Sequence, residues 1–141
     1  MILVYKTLPD LKPTNTQKLI TLNGALLPTV ASFYNQLKTD LLLPDYFGNN
    51  LDALSDSLTD LAHLKVAEVI IIITNQNTFL NEESPEIKHD LFETIVYSVD
   101  EVDLLKEEDD SYDTPYIYLY IENTNYNINF LNDGAVPFEE I

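Results

Sequence analysis

Residues 66–74 read Val-Ala-Glu-Val-Ile-Ile-Ile-Ile-Thr, and this run constrains the fold more than any other part of the chain. Successive apolar, β-branched positions suit an extended strand and leave it no polar face, so both of its faces must be covered. Its apolar centre, five residues from Val69 to Ile73, is far too short to span a bilayer. The expectation is a central strand in a mainly parallel sheet with helices packed on it.

The flanking sequence supplies those helices. Ile2 to Leu8 reads as a strand, followed by a polar link punctuated by Pro9 and Pro13. Lys18 to Leu22 reads as a short strand ending at the turn signal Asn23-Gly24. Pro28 then opens a helix reaching about Leu42, with Val30, Phe33, Tyr34, Leu37 and Leu41 at helical spacing. Residues 82–108 carry a second helical stripe, Ile87, Leu91, Ile95, Val99, Val102 and Leu105, with Ser84 as cap and Pro85 in the first turn. The charged run 107–113 reads as a solvated loop. Residues 116–122 and 126–131 alternate apolar and polar, which predicts two strands joined by a hairpin turn at 123–125. The fold class is therefore α/β: a sandwich of two or three layers, with a small, mainly parallel sheet and an added C-terminal β-hairpin.

Residues 43–61 carry the functional signal: Leu-Pro-Asp-Tyr-Phe-Gly-Asn-Asn-Leu-Asp-Ala-Leu-Ser-Asp-Ser-Leu-Thr-Asp-Leu. Pro44 stops the preceding helix, Gly48 allows a positive φ, and Asn50 can cap a helix beginning at Leu51. On that helix Leu51, Leu54, Leu58 and Leu61 share one stripe, while Asp52, Asp56 and Asp60 recur every four residues on the opposite side. Like charges so spaced destabilise a helix by roughly 0.2–0.5 kcal/mol per pair, and a cationic partner would explain why they are kept. Each residue also has an ordinary structural use. Asp52 in the first turn interacts favourably with the helix dipole, Asp56 and Asp60 suit a solvated face, and Tyr46 suits a loop aromatic packed on the core.

This segment resembles the signature of the barstar family of ribonuclease inhibitors: Leu-Pro, an acid, Tyr, an aromatic, Gly, any residue, then Asn-Leu-Asp-Ala-Leu and a second Asp. The matching residues are Leu43, Pro44, Asp45, Tyr46, Phe47, Gly48, Asn50, Leu51, Asp52, Ala53, Leu54, Asp56, Leu58 and Thr59. The resemblance implies a barstar-like order of strands and helices and an inhibitor that works by substrate mimicry. Asp52 and Asp56 would enter a basic active site, pair with its Arg, Lys or His groups and stand in for RNA phosphates, while Tyr46 would cover the cleft. Asn50, Ser55, Thr59 and Asp60 complete the expected contact surface, with helix capping as the first task of Asn50. Asp45 and, on the later helix, Asp100, Glu101 and Asp103 are further candidate contacts. Two positions depart from the family pattern: Ser55 and Leu61 stand where tryptophans are common. An aromatic lost at Ser55 removes contact area, which points away from a partner of the best-known barnase type. The family's smallest members end at the third parallel strand, so residues 1–16 and 123–141 read as extensions of a single barstar-like domain over 1–141.

Charge narrows the partner. Seven Lys plus Arg against 24 Asp plus Glu give a formal charge of −17, a field that repels phosphate backbones and anionic lipid and steers basic proteins inward. Direct binding to nucleic acid or a membrane is not expected. The chain has no cysteine, which excludes disulfides and thiolate metal sites. Its start lacks a basic n-region, a sustained apolar region and a cleavage site, so a cytoplasmic location is expected. His63 and His89 belong to no metal-binding or nucleophile–base spacing, and three glycines leave no phosphate loop, dinucleotide fingerprint or nucleophile elbow. No cofactor, metal or catalysis is expected. The sequence reading is an acidic immunity-type inhibitor forming a heterodimer with a basic ribonuclease toxin. The alternative is a nucleic-acid mimic that occupies a DNase or a DNA-binding protein.

Overall fold

The apolar run at 68–74 forms strand β3, Glu68–Thr74, in a computed structural model that describes residues 1–141. β3 pairs with β2, Gln17–Asn23, on one side and with β4, Tyr116–Glu122, on the other. β4 also pairs with β1, Ile2–Tyr5, and β1 with β5, Phe138–Glu140. All four pairings are parallel, and the order is β2-β3-β4-β1-β5. The middle strand is therefore β4, one place from the strand that apolar content alone selects. β4 alternates, with Ile117, Leu119 and Ile121 fully buried and Tyr116, Tyr118 and Tyr120 on the other face, and tyrosine tolerates half-burial because its ring is apolar and its tip polar.

Four helices cover one face: α1, Val30–Asp40; α2, Leu51–Leu58; α3, Pro85–Glu108; and α4, Asn125–Asp133. Each starts at a side-chain cap, respectively Thr29, Asn50, Ser84 and Thr124, which satisfies orphan backbone N–H groups of the first turn. One cluster of 29 buried residues joins all four helices to Ile2, Val4, Ile20, Leu22, Val69, Ile71, Ile73, Ile117, Leu119 and Ile121. Those strand residues lie on a single face, so the sandwich has two layers. The connection from β1 to β2, residues 6–16, carries the chain past β4 and β3 to the sheet edge. Gly24 follows β2 because a Cβ there would lie 2.1 Å from the Asn75 carbonyl oxygen.

The expected C-terminal hairpin is not formed. Residues 125–133 are the helix α4, and β5 then pairs in parallel with β1. The alternation of Asn125, Asn127 and Asn129 with Tyr126, Ile128 and Phe130 imitates a strand, but the polar series contains the buried position. Asn127 is fully buried, and its amide exchanges two hydrogen bonds with Gln76, at 2.9 and 2.8 Å. Leu131, four residues on, is buried beside it on the helical stripe. α3 runs unbroken for 24 residues. Its buried stripe is wider than expected, adding Phe92, Val96 and Ser98, while Ile87 in the first turn is exposed.

Candidate functional site

The α1–α2 connection is shaped by how α1 ends. Leu42 adopts φ 51°, and the Leu43 N–H donates to the Lys38 carbonyl at 3.0 Å, the left-handed closure that glycine usually fills. Leu41 and Leu43 are buried, but Leu42 between them is 66% exposed. The Phe47 N–H then donates to the Pro44 carbonyl at 2.9 Å, and the Phe47 ring packs against Tyr34 with centroids 5.8 Å apart. Tyr46 is 89% exposed. One aromatic of the pair anchors the loop and the other is presented to solvent. Gly48 does not use a positive φ; a Cβ there would stand 2.9 Å from Asn50 Nδ2, so the glycine makes room for the capping side chain.

Asn50 Oδ1 accepts from the Ala53 N–H at 2.8 Å and starts α2. Leu54 and Leu58 bury one side of this two-turn helix, which leaves Asp52 and Asp56 exposed on the other. The two carboxylates stand one turn apart, with about 5–6 Å between their Cβ atoms. Neither takes part in an ion pair: the chain's pairs are Met1–Asp103, Lys12–Asp10 and His89–Glu93. The third acid of the expected row departs from it. α2 ends at Leu58 with Thr59 as C-cap, so Asp60, although exposed, lies beyond the helix, and Leu61 reaches the core from the start of the short 3-10 helix Ala62–Leu64. Leu51 is 37% exposed instead of joining the buried stripe.

Three of the expected contact residues work inside the fold. Asn50 is the cap. Ser55 Oγ accepts from Ser98 Oγ at 3.3 Å, tying α2 to α3. Thr59 Oγ1 donates to the Ser55 carbonyl at 2.9 Å, and the Thr59 carbonyl accepts from the Tyr112 hydroxyl at 3.4 Å. The serine in the position where a tryptophan is common in the family therefore faces the neighbouring helix. Ser98 has the inward spacing of Ile95 and Val102, and that spacing is the signal that identifies it as a buried partner.

Asp45 is exposed, and its backbone carbonyl accepts from Lys38 Nζ at 3.4 Å. The later acids separate. On a 3.6-residue turn, Glu101 lies about 60° from Ser98, the residue that touches α2, whereas Asp100 and Asp103 lie on the far side of α3. Asp103 Oδ2 is 2.7 Å from the amino group of Met1. Burial, followed by the neighbouring Asp103 charge, raises the Asp100 carboxyl above the ordinary carboxylate range against the pull of that amino group. Of the later acids only Glu101 is exposed on the side toward α2.

The surface that α2 and its loop present thus combines an exposed tyrosine, two uncompensated carboxylates one turn apart, and a support of hydrogen bonds behind them. Residues 17–113, which contain this surface, match the family model described as Barstar (barnase inhibitor). The chain is also 34% identical over 68 residues to YrdF of Bacillus subtilis (strain 168), a protein described as a candidate ribonuclease inhibitor; the match covers 48% of this chain and 75% of the relative. With the match spanning most of its length, from β2 through α3, the chain belongs to the barstar family.

Proposed function

We propose that this protein inhibits a basic ribonuclease by covering its active site with the α1–α2 loop and α2. Asp52 and Asp56 enter the site as substitutes for neighbouring RNA phosphates, and Tyr46 closes over the cleft beside them. The observation that carries this reading is that both carboxylates are exposed and unpaired on one helix face, and that the loop leading into this helix carries an aromatic 89% exposed. Family membership and the description of the Bacillus subtilis relative support it. Such carboxylates gain most when a partner's cations desolvate them in bidentate pairs, and the −17 charge accelerates encounter with a basic enzyme. Asn50, Ser55 and Thr59 hold the surface in place, and Asp45, Asp60 and Glu101 form its acidic rim. The partner is a ribonuclease toxin held as a heterodimer, and the inhibitor acts in the cytoplasm as an immunity protein.

The test is affinity capture from the source cells with the wild-type chain and with an Asp52→Ala/Asp56→Ala variant, followed by RNA cleavage assays on the recovered protein. A ribonuclease that the wild type holds and inhibits, and the variant releases, is the expected outcome. Equal retention by both forms moves the interface off α2. A captured and inhibited DNase or DNA-binding protein without ribonuclease activity replaces the reading with the DNA-mimic one.

A further inference from the structure

At the carboxyl ends of β3 and β4, a half-open cavity of about 450 Å³ lies between the first turns of α3 and α4, lined by Gln76, Phe79, Lys88, Phe92, Glu122 and Tyr126 among others. The volume is that of a small-molecule site. Phe79 and Phe92, 1% and 3% exposed, supply its apolar floor. The Tyr126 ring forms one wall, with its hydroxyl 2.9 Å from His89 Nδ1. The rim is built on satisfied bonds: Gln76 and Asn127 exchange amide hydrogen bonds, and Asn127 Nδ2 also donates to the Glu122 carbonyl at 2.8 Å.

Two opposite charges line this space without meeting. Lys88, one of only seven Lys and Arg residues, makes no ion pair, and neither does Glu122. The Glu122 carboxylate accepts a backbone N–H from Gln76 at 3.3 Å. An ammonium and a carboxylate that line one aromatic-floored cavity without pairing to each other are complementary to a molecule that carries a carboxylate, an ammonium and a ring. We propose that the cavity binds a small aromatic zwitterion of the aromatic amino-acid class. Lys88 receives the ligand carboxylate, Glu122 receives its ammonium, and Phe79, Phe92 and Tyr126 hold its ring. Along α3 the site lies about 15 Å, ten residues at 1.5 Å each, from Ser98, where α2 packs, so it is separate from the proposed nuclease-binding surface and does not depend on it.

L-Tryptophan, indole-3-acetate, which lacks the ammonium, and tryptamine, which lacks the carboxylate, form the test series. The chain contains no tryptophan, so indole emission anisotropy reports the ligand alone, and backbone amide shifts locate it. Expected is one saturable site for L-tryptophan, about tenfold tighter than for either truncated analogue, with shifts centred on Gln76, Phe92 and Tyr126. Lys88→Gln should abolish the preference over tryptamine, and Glu122→Gln the preference over indole-3-acetate. Binding of either analogue to the wild type as tightly as L-tryptophan, saturation of none of the three, or shifts centred on α2 would overturn the proposal. That comparison on the wild-type chain stands without the variants.

Discussion

Beside the C-terminal half of α3, Asp52 and Asp56 stand in solvent with no partner; at its N-terminal end, Gln76, Asn127 and Glu122 are knitted together by hydrogen bonds. The first region keeps its charges free and puts its hydrogen bonds behind them, in the Asn50 cap and the Ser55–Ser98 contact. The second uses hydrogen bonds to fix the walls of a cavity. A surface that must meet a large basic partner gains from free charge and a long-range field, whereas a site for a small molecule gains from preorganised walls. Different perturbations should therefore break the two regions.

The largest effect belongs to the acidic face. Asp56→Ala is expected to weaken partner binding by about 2–5 kcal/mol, the general range for truncating one half of a desolvated charge pair, with the chain's own melting temperature nearly unchanged because the carboxylate has no partner in the fold. Raised ionic strength should slow association of the wild type with the nuclease. L-Tryptophan has no net charge, so the chain's long-range field does not steer it, and its association with the cavity should respond to salt far less. Stopped-flow association and ligand anisotropy across a salt series check both halves, and equal salt sensitivity at the two sites would erase the distinction.

Next in size is Asn127→Ala. It removes two amide bonds to Gln76 and one to the Glu122 carbonyl from a fully buried position. A loss of about 1–3 kcal/mol of stability is expected in denaturant unfolding, as for buried polar groups left without a partner. Nuclease inhibition at temperatures where the variant stays folded should be unaffected.

A smaller change is expected at Leu42, and with the opposite sign. A leucine at φ 51° carries the steric cost of the left-handed region, which glycine does not. Leu42→Gly should stabilise the free chain by up to about 1 kcal/mol, the unfolded-state entropy of glycine offsetting part of the gain. A lower melting temperature for this variant would mean that the exposed leucine has packing the strain argument misses.

The two regions also differed in how far the sequence disclosed them. Residues 43–59 announce their loop and helix because local chemistry dictates both: Pro44 ends one helix, Asn50 caps the next, and Leu54 with Leu58 orients it. The same rules do not reach Asp60, whose place depends on where α2 stops, nor Ser55, whose direction depends on Ser98, 43 residues away. The cavity was hidden for a related reason. It depends on α4, and α4 was concealed by Asn127, a polar residue on the buried side that only a tertiary partner, Gln76, makes tolerable. β1 and β5 were no more legible as sheet neighbours, since their pairing joins residues more than a hundred positions apart.

Alkaline pH separates the regions once more, through Tyr5. Its hydroxyl donates to the Ile73 carbonyl at 2.7 Å, next to the strand ends that form the cavity. Burial, followed by the Glu122 charge, pushes its pKa up from 10.0 to about 12. The unfolded chain therefore releases this proton at lower pH than the folded one. The contribution of Tyr5 to stability is complete below pH 10 and is lost as pH rises through about 12, because the ionised ring cannot donate to Ile73 and brings a second negative charge beside Glu122. Tyr5→Phe should lower stability at neutral pH by about 0.5–1.5 kcal/mol for the lost hydrogen bond and should flatten the decline between pH 10 and 12 relative to wild type. Urea unfolding across that window measures it, and an equally steep decline in the variant would assign the alkaline transition to the other tyrosines whose pKa is raised, Tyr34, Tyr118, Tyr120 and Tyr126.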